Sequence, residues 1–147
     1  PNVITPNGDG INDAFYPICN KMEKGKFAVA RFYIYNDTSE LIFARQGLNI
    51  TEPEAWGFKG VAWTKPLKPQ ITTVYDFTGK FKYSFYLSFW LSDGKEHLIE
   101  VEGEACVVRC DQDAHVLVGK DGCYFPLQGI SGVYDATIPN KEENCIK

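Results

Sequence analysis

The sequence predicts an all-β fold, an antiparallel β-sandwich, and three observations lead to this prediction. Apolar residues make up 44% of the 147 residues and aromatic residues 14%, which is enough material for one packed core. Residues 80–91 alternate in hydrophobic character with the period of two that is typical of a strand. No window keeps an apolar stripe at helical spacing for more than about two turns. The length fits one domain of typical size, so we expect a single sandwich rather than two globular domains.

The first predicted hairpin lies near the start of the chain. Residues 27–35 (FAVARFYIY) are rich in aromatic and β-branched side chains and end at the turn-forming residues 36–39 (NDTS). Residues 41–44 (LIFA) then return as the second strand. This pattern predicts two adjacent antiparallel strands.

The second predicted hairpin contains the strongest strand signal in the chain. One face of residues 80–91 is apolar and consists of Phe81, Tyr83, Phe85, Leu87, Phe89 and Leu91. The opposite face carries Lys82, Ser84, Tyr86, Ser88 and Trp90. The Asp93-Gly94 pair tolerates the positive φ of a tight turn, and residues 97–102 continue with alternating apolar and acidic side chains. We therefore expect a second antiparallel pair here.

The rest of the chain divides into a connection and a cysteine-rich extension. Three prolines within residues 51–70 predict a long connection. Residues 114–118 and 123–127 flank a glycine-containing turn and predict a third hairpin. Because cysteine, glycine and acidic residues become denser after Gly103, we expect residues 109–147 to form a disulfide-supported C-terminal extension that packs on the sandwich of residues 1–108.

Charge and hydropathy argue against two classes of partner. The chain has 15 basic and 19 acidic residues, a net charge of −4, without a long run of either sign, which disfavours nucleic acid. Its apolar stretches are far shorter than the roughly 18 residues of a membrane-spanning helix, so we expect no transmembrane span. Because the chain opens at Pro1 without an initiator methionine or a signal segment, we expect a mature or trimmed form.

Five cysteines are many for a cytosolic chain of this length, and they favour an oxidising compartment. They are Cys19, Cys106, Cys110, Cys123 and Cys145. A zinc site is the alternative, but the sequence has no CxxC pair. Cys106 and Cys110 would lie about 13 Å apart on a straight strand, so they bond only if the chain turns between them. A bond between Cys123 and Cys145 would pin the C-terminus, and Cys19 is the expected unpaired thiol, while the connectivity itself stays open.

The most specific segment is residues 4–15 (ITPNGDGINDAF), in which oxygen-bearing side chains alternate with glycines. Glycines let the backbone turn several oxygens toward one point, and Ca²⁺ accepts roughly six to eight oxygens at about 2.3–2.6 Å. The candidate ligands are the side chains of Asn7, Asp9 and Asp13 and the carbonyl oxygen of Ile11. Compared with a standard calcium loop, Thr5 replaces the first aspartate and Tyr16 the final glutamate. The alternative is a metal-free series of turns held by side-chain to backbone hydrogen bonds.

This segment resembles the opening of the gliding motility-associated C-terminal domain, the type B sorting domain of the type IX secretion system in Bacteroidota. Residues 32–36 (FYIYN) and 39–43 (SELIF) are similar to the strand–turn–strand pattern of that family, and residues 56–60 (WGFKG) resemble its W-x-G element. The resemblance covers about residues 1–108. It implies an immunoglobulin-like antiparallel β-sandwich and a sorting or surface-anchoring role. Because residues 109–147 follow the point where the family usually ends, a structural or adhesive role is favoured over sorting.

No catalytic constellation is encoded in a recognisable pattern. Histidine is the commonest general base, and the chain offers only His97 and His115. Both lie in predicted strands near charged residues, where a solvated side chain is the expectation. The sequence contains neither G-x-S-x-G nor a phosphate-binding glycine loop, so we expect no enzymatic activity.

Aromatic side chains are the candidates for ligand binding, because sugar rings stack on the faces of tryptophan and tyrosine. Tyr86 and Trp90 share the less apolar face of residues 80–91, so they form the candidate pair. The alternative use of the aromatic residues is core packing.

Together these patterns predict a non-enzymatic, extracytoplasmic module with a structural, adhesive or protein-interaction role and a protein or cell-surface partner. It would lie in the periplasm, in the outer membrane or on the cell surface of a member of the Bacteroidota. One expected way for the chain to attach to the membrane is as a lipoprotein, through an acylated cysteine ahead of Pro1. The alternatives are a type IX sorting domain, from the resemblance, and a glycan-binding module, from the tryptophans and tyrosines.

Overall fold

The computed structural model describes residues 3–10, 12–17, 26–47, 56–64, 73–90, 93–109, 123, 129–130 and 133–134. In these residues it confirms the predicted all-β sandwich. The strands are β1 (Val3–Ile4), β2 (Lys26–Tyr35), β3 (Leu41–Gly47), β4 (Val61–Trp63), β5 (Val74–Asp76), β6 (Gly79–Trp90), β7 (Glu96–Val107), β8 (Gly129–Ile130) and β9 (Val133–Tyr134). None of the described residues belongs to a helix long and apolar enough to cross a membrane.

The main sheet has five strands in the order β1-β7-β6-β2-β3. Both predicted hairpins are present, since β2 pairs with β3 and β6 pairs with β7, each in antiparallel register. β6 also pairs with β2 along its length, so the strand with the clearest alternation is the central strand. One pair differs from the expected antiparallel pattern, because β1 lies parallel to the end of β7.

A second, smaller layer is formed by β4 and β5, which pair antiparallel. Residues 51–70 were predicted to be a connection, and this prediction was wrong for β4. The strand is only three residues long, which is too short to express an alternating pattern. β8 and β9 form a separate antiparallel pair. Apart from Cys123, the predicted third hairpin lies outside the described residues.

The core lies between these two layers and is rich in phenylalanine. Phe32 and Phe81 project from the main sheet, and Phe58 and Ala62 come from the segment that forms the second layer. The Phe58 ring centroid lies 5.3 Å from that of Phe81, in an edge-to-face arrangement that suits aromatic quadrupoles. Trp56 is buried, and Trp63 stacks on Phe43 at 5.9 Å, so these two tryptophans have the structural role of core packing.

The disulfide joins Cys106 to Cys123, with a Cα–Cα distance of 5.8 Å. Of the pairings that the sequence left open, the structure contradicts Cys123–Cys145 and Cys106–Cys110, because the sulfurs of Cys106 and Cys123 are bonded to each other. Cys106 lies opposite Lys80, on the side of the main sheet that faces away from the core, and is nevertheless 1% exposed. Cys123, which is fully buried, bonds to it there. The other cysteines, Cys19, Cys110 and Cys145, lie outside the described residues.

Candidate functional site

The predicted calcium loop is organised around the carboxylate of Asp13. Its Oδ1 accepts the backbone N–H groups of Asn7 at 3.0 Å and Gly8 at 2.7 Å, and its Oδ2 accepts that of Gly10 at 2.7 Å. The two glycines have φ values of 82° and 84°, which side-chain-bearing residues rarely adopt. This backbone curl directs three N–H groups to one carboxylate, so the loop surrounds an anion of its own.

Asn7 and Asp9 close the exposed side of the loop. The Asn7 Nδ2 donates to Asp9 Oδ2 at 2.9 Å, and the Asp9 N–H donates to Asn7 Oδ1 at 3.0 Å. The bond from the Asp9 N–H is a side-chain to backbone hydrogen bond of the kind that the metal-free alternative predicts, and the other bond joins two side chains. Among the described residues, no three His, Cys, Asp or Glu side chains form a group that could hold a metal ion. The fourth candidate ligand, Ile11, lies outside the described residues.

The residues present do not form a ready calcium cage. Both oxygens of Asp13 already accept N–H groups, and a cation beside them would meet the positive ends of those N–H dipoles. Calcium binding at Asn7, Asp9 and Asp13 stays a prediction. Calorimetric titration with millimolar Ca²⁺ tests it, and the absence of both heat and a shift in melting temperature would reject it.

The loop also attaches the N-terminal segment to both layers. The Thr5 N–H donates to the Asn12 carbonyl oxygen at 2.9 Å, which closes the base of the loop. Beyond it, the N–H and C=O groups of Phe15 bond reciprocally with those of Phe58, both at 2.9 Å. The Phe15 ring packs 5.3 Å from Phe81 of the main sheet. The sequence motif therefore positions a segment that bridges the sandwich.

Replacing Asp13 by alanine is expected to lower the free energy of unfolding by about 2 kcal/mol, because three N–H groups lose a charged acceptor. Urea unfolding monitored by tryptophan fluorescence measures the change. Asp13→Asn keeps one carbonyl oxygen and should lose less. Asp37→Ala, at an exposed turn position, is the matched control and should remain close to the wild type. An Asp13→Ala variant as stable as this control would contradict the role of the carboxylate.

Tyr86 and Trp90 lie four positions apart in β6, and both project from the outer face of the main sheet, the face directed away from the core. Trp90 is 46% exposed, whereas Tyr86 is half-buried. The Arg31 guanidinium lies 5.5 Å from the centroid of the Tyr86 ring, in a cation–π contact. Of the predicted pair, Trp90 therefore offers the more accessible ring.

An open groove of about 700 Å³ crosses the same outer face. Its lining includes Tyr33, Tyr35, Ser84, Glu100 and Glu102. The sequence pattern alone did not predict a groove at these residues. The signal was present in the alternating glutamates of residues 100–104, but only the pairing of β7 with β6 and of β6 with β2 brings them beside the tyrosines.

The charges along β7 are unevenly compensated. Lys80 Nζ lies 2.5 Å from Glu104 Oε2, and this hydrogen bond lowers the pKa of Glu104 below its ordinary value. At the hairpin turn, the Lys95 N–H donates to Asp93 Oδ1 at 2.9 Å and lowers the pKa of Asp93, with a smaller contribution from His97. Both carboxyl groups are therefore ionised at neutral pH. Within the described residues, neither Glu100 nor Glu102 forms an ion pair with a basic side chain.

In the described part of the chain, the contacts of His97 do not form a catalytic group. His97 stacks on Phe89 with a centroid distance of 5.5 Å, and its Nε2 lies 3.3 Å from Asp93 Oδ2. His115 lies outside the described residues. Comparisons with family models, curated proteins and solved structures found no match to this chain.

Proposed function

We propose that this chain is a non-enzymatic, extracytoplasmic module for adhesion or protein–protein interaction. The observation that carries the proposal is the exposure of Trp90 and Leu98 beside the turn that joins β6 to β7. Their side chains are 46% and 61% exposed. In the register Trp90 pairs with Glu96 and Leu98 pairs with Ser88, so the two apolar side chains are diagonal neighbours on the outer face. Large apolar side chains exposed side by side are characteristic of interaction surfaces.

The Cys106–Cys123 disulfide supports the extracytoplasmic part of the proposal, because such bonds persist in oxidising compartments. Labelling of intact native cells with a membrane-impermeant amine reagent tests this location. We expect the chain to be labelled while a cytoplasmic control protein is not. Labelling that appears only after cell lysis, together with that of the cytoplasmic control, would contradict this location, and so would a fully reduced Cys106 in freshly trapped cells.

A variant pair tests the interaction surface directly. Trp90→Ser combined with Leu98→Ser removes the apolar pair, and Val74→Ser in β5 removes a side chain that is 65% exposed elsewhere. After chemical cross-linking in native cells, we expect the wild type and Val74→Ser to yield the same cross-linked partner and the double variant to lose it. Equal yields from all three proteins would reject this surface.

A glycan-binding role is the second candidate and is supported by the accessible indole of Trp90. A glycan array that compares the wild type with Trp90→Ser tests it. Binding that depends on Trp90 would favour this role, and signals at background would reject it. The Arg31 guanidinium already lies against the Tyr86 ring, so Trp90 is the residue that the array tests.

A type IX sorting or surface-anchoring role is the third candidate, supported by the resemblance of residues 4–15. A fusion of residues 1–147 to a periplasmic reporter, expressed in a type IX-competent host, tests the sorting role. Surface exposure of the reporter that is lost when residues 1–16 are deleted would support sorting. A reporter that stays in the periplasm would reject it.

A further inference from the structure

β7 has one edge that no described strand covers for most of its length. On one side, β6 pairs with it from Glu96 to Val107. On the other side, β1 pairs only with Cys106 and Val107. Among the residues that the structure describes, the edge between Glu96 and Ala105 therefore has no neighbouring strand.

The backbone groups on this edge belong to the even-numbered residues. Val108 donates its N–H to the Ile4 carbonyl oxygen at 2.9 Å, so residue 108 faces the side of β1. Successive residues of a strand direct their backbone groups to opposite edges, and the β6–β7 register runs without a shift. Leu98, Glu100 and Glu102 therefore present N–H donors and C=O acceptors at the free edge. Such a row is a template for an additional strand.

The side chains along the free edge are exposed and alternate in character. Leu98, Ile99 and Val101 are 61%, 42% and 43% exposed, and Glu100 and Glu102 are exposed as well. The register places the two glutamates on the outer face and the two β-branched residues, Ile99 and Val101, on the side of the core. An added strand would shield the aliphatic side chains from water.

The two glutamates determine which kind of strand the edge accepts. Glu104 pairs with Lys80, whereas no ion pair in the described part of the chain engages Glu100 or Glu102. Two copies of β7 aligned on this edge would bring like charges side by side, which is destabilising. A strand with basic residues beside the glutamates and aliphatic residues on its other face would be complementary in both respects.

We propose that the free edge of β7, residues 96–105, accepts an extended segment of a partner protein in which lysine or arginine alternates with aliphatic residues. The segment adds a strand to the main sheet through main-chain hydrogen bonds, while the alternating side chains provide specificity. This inference rests on the proposed interaction function and names its partner class.

A synthetic peptide of about nine residues, close to the length of a typical strand, serves as the probe. In it lysine alternates with valine, and a control peptide has the same composition in two blocks. Titration of the fluorescently labelled peptides into residues 1–147 measures their affinities by anisotropy. We expect the alternating peptide to bind about tenfold more tightly, because only its pattern matches that of β7.

Two substitutions of Glu102 separate charge from backbone pairing. Glu102→Lys reverses the charge, and Asp37→Lys is its control, because Asp37 is also exposed and the net charge changes equally. Glu102→Pro removes an outward N–H, a change that edge strands tolerate when that side faces solvent. We expect both Glu102 variants to weaken binding about tenfold and Asp37→Lys to bind like the wild type.

Amide exchange followed by NMR gives a readout for each residue. In the free protein, we expect the amides of Glu100 and Glu102 to exchange rapidly and those of Ile99 and Val101 to be protected by β6. The alternating peptide should protect the even-numbered amides. Equal binding of the block peptide, full binding by both Glu102 variants, or self-association through β7 would overturn the inference. If one of these outcomes occurs while cross-linking still captures a partner that depends on Trp90 and Leu98, the strand-addition inference is rejected and the proposed interaction function is retained.

Discussion

Replacing Phe58 by alanine is expected to lower the free energy of unfolding by about 4 kcal/mol. The side chain is fully buried, and its ring centroid lies 5.2 Å from that of Phe43 and 5.3 Å from that of Phe81. These contacts join the second layer to the main sheet. The substitution would therefore remove apolar burial and leave a cavity between the layers. Urea unfolding of the wild type and the variant measures the difference.

Two controls distinguish cavity formation from a general effect of substitution. Phe58→Leu retains most of the apolar volume and should cost less than half as much. Val74→Ala removes an aliphatic side chain that is 65% exposed, and we expect a loss below about 1 kcal/mol. If Phe58→Ala were no more destabilising than Val74→Ala, the two-layer core described here would be wrong.

Removal of the Cys106–Cys123 bond is expected to lower the free energy of unfolding by about 3 kcal/mol. The bond closes a loop between residues 17 positions apart, and the chain-entropy model gives a cost of this size for such a loop. Urea unfolding of the wild type before and after reduction measures the effect of the bond alone. The variant with alanine at both positions adds the loss of two buried side chains and should be at least as unstable.

The connectivity is checked by mass spectrometry of a proteolytic digest prepared without reduction. We expect a linked pair of peptides that contains Cys106 and Cys123. Cys145→Ala is the matched control and should retain that pair. A peptide pair linking Cys123 to Cys145, or stability that is unchanged by reduction, would contradict the bond.

The strands of the two large hairpins could be predicted because their signal is local. In β6, alternate side chains differ in polarity, and the buried positions Phe81, Phe85, Leu87 and Phe89 are those that the alternation assigns to one face. β1 and β4 have two and three residues, so no pattern could develop in them. They are strands because neighbouring segments supply their hydrogen-bond partners.

The candidate site was predictable in composition but not in arrangement. The oxygen-rich loop was evident from the sequence, and its glycines do adopt positive φ. The direction of the Asp13 carboxylate, toward three N–H groups, depends on the path of the backbone. Similarly, the exposure of Trp90 follows from alternation, whereas the cover of Tyr86 by Arg31 requires the pairing of β2 with β6.

The sequence by itself determined the fold class, the two large hairpins and the faces of their strands, because alternation and turn chemistry act between residues close together in the chain. Only the tertiary structure decided the strand order, the partner of Cys106 and the uncovered edge of β7. These features join residues far apart along the chain, and many pairings of the same strands would satisfy the same local patterns. Packing of the shared aromatic core selects one of them.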